Sequence, residues 1–202
     1  MLNIIWQTWG LNEGMDEGFE NSETLRSRIV VDKVVTRGIV SQLLATLYTL
    51  KDCIDRCPLT EWNESHGDYP FSQVVFHTLF DCDYHLSDSD EEFRTQPFHL
   101  GNAKVFHDYS GLEDFSPVRL YEKDFLVQYY EHCQLKTVSK IEGRTIAELS
   151  IPNSDIRKNM TRLERWMNIA RHNQHHAAQL ALTLQLLTGK ETEWISWGYE
   201  RD

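Results

Sequence analysis

The chain has 202 residues, enough for one domain with a sizeable core and too few for two comfortable ones. Apolar residues make up 41% of it, which suits a folded globular protein and excludes a disordered one. A formal charge of −11 argues against nucleic acid as a partner, because a phosphate backbone is met by a basic surface.

The opening MLNIIWQTWG is apolar but has neither a basic n-region nor a small-residue cleavage site, so it does not read as a signal peptide. Residues 1–22 are expected to be a loosely ordered extension ahead of one domain over 23–202. The chain is expected to be cytoplasmic. No stretch approaches the ~18 to 20 uninterrupted apolar residues that span a membrane, so no membrane association is expected.

The first predicted helix runs from about Glu23 to Arg56, with Leu25, Ile29, Leu43, Leu47 and Leu50 among its apolar positions and Pro58 ending it. Its β-branched run through Ile29-Val30-Val31 and Val34-Val35 also suits a strand, but no partner strand stands out elsewhere. Cys53 and Cys57 are four apart on this helix and read as small buried apolar residues. With Cys82 and Cys133 they form no CxxC pair, and all four are expected as reduced thiols.

The second predicted helix spans about Phe71 to Leu86, opened by Pro70. A long polar loop bearing histidines, Pro97 and Gly101 then covers about Ser87 to Phe115. The third helix is expected to start at Ser116, a good N-cap, with Pro117 in the first helical position, and to reach Ile141. The fourth starts at Thr161, where Thr161-Arg162-Leu163-Glu164 makes a capping box, and ends near Gly189. Long helices with few strand signals imply an all-α protein, a helical bundle whose sites are built from side chains of facing helices.

The last of these helices carries HNQHHAAQL over residues 172–180, three histidines within five positions. At about 100° per residue, His172 and His176 lie about 40° apart at the edge of the buried face, while His175 points about 60° to the other side. An i, i+4 pair lets two imidazoles of one helix grip one ion. On the second helix His77, Asp81 and His85 form a stripe at i, i+4 and i+8. One imidazole of that stripe facing the pair would complete a three-histidine site with coordination positions left open, as in a catalytic centre rather than a closed structural one. Against this, HxxxH pairs also arise on solvated faces, and a single helical histidine is ordinarily a surface or hydrogen-bonded residue. Asp81 reads as a surface acid or a partner orienting a ligand imidazole. His85, His99, His107 and His132 read as non-ligands.

Other constellations are missing from the sequence. No histidine has glutamate three residues before it, as di-iron bundles require, and there is no HExxH. GxxxxGK[ST], GxGxxG and GxSxG loops are likewise absent.

The segments FSQVVFHTLFDCDYHL, carrying His77, and MNIARHNQHHAAQLAL, carrying His172 and His176, resemble the DinB-like superfamily of metal-binding four-helix proteins. The resemblance covers about Leu25 to Leu187 and includes the helix order and the Thr161 capping box. It implies a four-helix bundle with a divalent metal, zinc or nickel, held in the bundle cavity by His77, His172 and His176. Some members of that superfamily transfer or isomerise with a low-molecular-weight thiol, and others are described as metal-dependent hydrolases. Dimers are common among them, so a homodimer is implied. Where the family often has Arg-Gly after the paired histidines, this chain has Ala177-Ala178, which removes support for a substrate anion held there.

The expected function is therefore a metal-dependent enzyme, a thiol S-transferase or isomerase or else a hydrolase, acting on a small-molecule substrate. The ion would activate a thiol or water, with Asp81 as proton acceptor or orienter. A non-catalytic metal-binding bundle, structural or sensing, is the alternative, and a plain interaction bundle is a third. Substrate choice is expected to lie in the loop from Ser87 to Phe115.

Overall fold

The structure, a computed structural model, describes residues 22–106, 119–152 and 160–199. Over these residues the chain is all-α. Its eight helices are α1 (Ser22–Arg56), α2 (Phe71–Leu86), α3 (Asp90–Thr95), α4 (Pro97–Gly101), α5 (Ala103–Phe106), α6 (Lys123–Ile141), α7 (Ile146–Leu149) and α8 (Arg162–Thr188). The described residues form no strand, only the isolated bridges Ser65–Pro70 and Pro152–Thr161. None of these helices is long and apolar enough to cross a membrane. The expected N-terminal extension lies outside the described residues except for Ser22, which opens α1.

Local signals account for the ends of α2 and α8. Pro70 accepts from the N–H of Val74 at 3.2 Å and supplies no donor of its own, so α2 opens where its ring is tolerated. Thr161 caps α8: its hydroxyl accepts from Glu164 N–H at 3.2 Å, and Glu164 accepts from Thr161 N–H at 2.8 Å. Gly189 closes α8 at φ +68, a left-handed conformation that favours glycine.

Two expectations are corrected. The third long helix does not run through residues 119–122: α6 begins at Lys123, while Ser116 and Pro117 lie outside the described residues. Tertiary contacts hold that segment out of the helix. The Trp62 indole donates to Tyr121 O at 2.7 Å, the Gln73 amide donates to Arg119 O at 2.9 Å, and the Tyr121 ring stacks on Phe76 with centroids 4.0 Å apart. The described part of the expected 87–115 loop instead contains α3, α4 and α5, opened by the Ser89 cap on Glu92 N–H and by Pro97 at the start of α4. The short α7 follows a second capping box, Thr145 with Glu148.

The four long helices carry the core. α1 packs on α6 and α8, and α2 packs on the same two, so α1 and α2 face each other across a diagonal. Leu43, Leu47 and Leu50 of α1, Phe76 and Leu79 of α2, Leu126 and Tyr129 of α6, and Trp166 and Ile169 of α8 are fully or almost fully buried. Each such side chain contributes roughly 1.5–3 kcal/mol of burial free energy. The four cysteines are free and buried among them, and burial pushes the Cys53 thiol up to about 12, far from a reactive thiolate.

After α8 the chain turns back along α1. Gln42 donates to Ser196 O at 3.2 Å, and Gly198 N–H donates to Ser41 Oγ at 3.1 Å. A Cβ at Gly198 would lie 2.2 Å from Leu44 Cβ and 2.7 Å from Ser41 O, so only glycine lets this strap lie so close to the helix.

Candidate metal centre

α2 contributes His77 and α8 contributes His172 and His176, and their ligand atoms lie within 4.8 Å of one another. These three histidines form a group that can hold a metal ion. The Nε2 of His172 is 3.1 Å from that of His77 and 3.1 Å from that of His176. Three nitrogens each about 2.0–2.1 Å from one tetrahedral ion sit ~3.3 Å apart, so this spacing is close to a ligand set. The rings meet edge to face, at 67°, 89° and 81° to one another.

The surroundings favour one tautomer at two of the rings. His176 Nδ1 lies 2.8 Å from Gln179 Oε1, so Nδ1–H donates outward and Nε2 presents a lone pair to the centre. His172 Nδ1 lies 3.2 Å from Asp81 Oδ2, an ion-pair contact without an aligned hydrogen bond, in which the carboxylate charge draws the hydrogen to that side. The two Nε2 atoms facing each other at 3.1 Å are therefore both acceptors. A hydrogen on His77 Nε2 reaches His172 at 3.1 Å, whereas a cation between the three rings is shared by all of them.

Electrostatics favour the neutral, ligating form. Burial lowers His172 to about 4, against the opposing pull of Asp81, with His176 and His77 adding repulsion. Burial also lowers His176, against its bond to Gln179. For Asp81, burial disfavours the charge, but His85, His172 and His77 outweigh it and hold the carboxyl below its usual value.

Beside His77 and His176 opens a cavity of about 430 Å³. Its other walls include His66, Tyr69, Gln73, Gln179 and Thr183, so part of the metal group faces a space where a small molecule fits. None of the described residues of the 87–115 segment lines it. Besides α2 and α8, the wall comes from 66–69, ahead of α2, a stretch with no periodicity to mark it.

The remaining sequence expectations resolve as follows. His175 points outward and is exposed. Asp81 is buried rather than a surface acid, with 4% of its surface exposed. His85 is fully buried beside it, Nε2 3.3 Å from Asp81 Oδ1. His107 lies outside the described residues.

His99 and His132 belong to a separate polar cluster around Asp83, which spacing did not reveal. Lys136 Nζ donates to Asp83 Oδ1 at 2.6 Å, to Ser87 Oγ at 2.6 Å and to Gln96 Oε1 at 3.1 Å. The Tyr129 hydroxyl donates to Asp83 Oδ2 at 3.0 Å, and His99 Nε2 lies 2.8 Å from the same oxygen. Burial opposes the Asp83 charge, but hydrogen bonds from His132 and His99 and the charge of Lys136 prevail and hold it well below the carboxylate range.

Comparisons of this chain with family models, with curated proteins and with solved structures each return no match.

Proposed function

We propose that this protein is a metal-dependent enzyme of the DinB-like kind, a four-helix bundle of α1, α2, α6 and α8 with its metal centre at His77, His172 and His176. The observation that carries the reading is the convergence of imidazole nitrogens from His77, His172 and His176, with Asp81 and Gln179 beside the outer nitrogens of His172 and His176. A divalent ion there, zinc or nickel, supplies Lewis acidity and lowers the pKa of a thiol or water.

The chain's own residues do the rest. His77 and His176 border the 430 Å³ cavity, so a small molecule seated there lies against the ligand histidines. Phe71, Val74 and Leu180 supply apolar wall, and Gln73 and Thr183 supply polar groups that can orient a substrate. Asp81 acts as an orienter of His172 rather than as a base, because each of its oxygens already faces an imidazole nitrogen. The reaction classes that fit are transfer or isomerisation with a low-molecular-weight thiol, and hydrolysis. A cytoplasmic homodimer belongs to the same reading.

Elemental analysis of untagged protein, wild type beside H176A, tests it. About one equivalent of zinc or nickel in the wild type, lost in the variant, is the expected result. A screen of thiol acceptors and esters then separates enzyme from passive binding module. Wild-type protein without metal and without uptake on titration would refute the reading.

A further inference from the structure

His85 presents a buried imidazole that packing alone does not explain. It sits in the last turn of α2 with no exposed surface, and neither of its ring nitrogens makes an aligned hydrogen bond among the described residues. Burying a polar ring costs free energy unless its polar atoms are used, and a leucine would fill the same apolar surroundings without that cost.

One polar neighbour gives the ring a purpose. His85 Nε2 lies 3.3 Å from Asp81 Oδ1, one helical turn back, while Asp81 Oδ2 lies 3.2 Å from His172 Nδ1. The helix pitch that sets Asp81 and His85 on one side thus places an imidazole nitrogen behind the carboxylate at ion-pair distance, while the His172 ring lies ahead of it. A carboxylate held at one oxygen swings about its Cβ–Cγ bond. With an imidazole nitrogen against each oxygen its swing is narrowed, and that bias reaches the tautomer and tilt of His172.

We propose that His85 is a positioning residue: it fixes the Asp81 carboxylate, which in turn keeps the hydrogen of His172 on Nδ1 and its Nε2 lone pair aimed at the ion. The inference rests on the metal-centre reading for its purpose, though the positioning is a property of the metal-free chain as well. His85 touches neither ion nor substrate. It acts through Asp81 alone.

Zinc affinity, measured by competition with a chromophoric chelator, separates this role from simple packing. H85L is expected to weaken zinc binding about tenfold and D81A about ten- to hundredfold, the range for groups that orient metal ligands. H85Q, whose amide donates to Asp81, is expected to restore most of the affinity. The D81A/H85L double variant is expected to bind no worse than D81A, because His85 has nothing left to hold. The metal-free proteins are read by melting temperature and by long-range ¹H–¹⁵N spectra, which report the His172 tautomer. The expected spectrum is Nδ1–H in wild type and a tautomer mixture in H85L; if H85L does not fold, H85F keeps a ring without the donor.

Wild-type affinity and an unchanged His172 spectrum in H85L or H85F would overturn the proposal. So would losses that multiply in the double variant. If wild-type protein takes up no zinc, the metal reading falls, and the spectra still decide the positioning: a tautomer shift in H85L supports it and an unchanged one refutes it.

Discussion

Asp81 and Asp83 stand two residues apart on α2, both buried and both beside histidines, yet they serve opposite ends. Asp83 is enclosed by donors from Lys136, Tyr129, Gln96 and His99. That cluster is complete. Asp81 instead faces His172, whose other nitrogen meets those of His77 and His176 beside a cavity. A helix buried on both sides thus separates a structural face from a chemical one. The distinguishing mark is whether the charge balances from within the chain, since both faces have titratable residues.

The largest effect should come from breaking the closed face. D83A leaves Lys136 buried, 8% exposed, without its counter-ion, and is expected to cost about 3–5 kcal/mol in urea unfolding. D83L/K136M, which removes both charges, should recover much of that. H77A is expected to cost the metal-free protein far less, because it removes a half-buried side chain beside a cavity and leaves no buried charge without its counter-ion. An equal cost for D83A and H77A would erase the distinction between the two faces.

The open face should respond to metal. Zinc at a hundredfold excess over its Kd is expected to stabilise the wild type by about 2.7 kcal/mol, seen as a raised melting temperature. H176A should abolish that shift, and D83L/K136M should keep it. A zinc response that survives H176A would place the binding elsewhere.

The two faces differ as much in how far sequence alone reveals them. α2 and α8 are readable from Pro70, the Thr161 box and Gly189, because caps are local chemistry. His77, His172 and His176 are readable as well, since helical pitch projects them to one side. The Asp83 cluster is not: its partners Gln96, Tyr129 and Lys136 come from other helices, and no periodicity links them to it. Residues 119–122 escape for the same reason, being held out of the helix by Trp62 and Phe76 from distant segments. The Thr145–Glu148 capping box ahead of α7 was available in the sequence, but four helical residues give no apolar period to confirm it.

Acid should separate the faces by pH. A histidine whose folded pKa is below its unfolded one adds no penalty above the unfolded value, ~6.5, and costs stability as pH falls from there towards the folded value. His172, lowered to about 4 by burial, should therefore destabilise the metal-free protein progressively through that interval, and H172A should flatten the slope. Asp83 has a depressed pKa, so its contribution is full above the unfolded carboxyl value, ~3.9, and is lost as pH falls through the folded one. Unfolding free energies at stepped pH check this. A slope unchanged in H172A would show that the open face does not set the upper interval.

The smallest effect is expected one residue from one of the largest. His175 neighbours His176 in sequence but points into solvent, since about 100° of helical rotation separates them. H175A should leave zinc uptake at the wild-type level and change stability by less than about 0.5 kcal/mol, the range for an exposed side chain without partners in the core. Measured beside H176A in the same titration, it tests whether helix phase, rather than local histidine density, defines the centre. A shared loss in both variants would mean that α8 presents its histidines as a loose cluster, and the fixed geometry drawn from His77, His172 and His176 would fail with it.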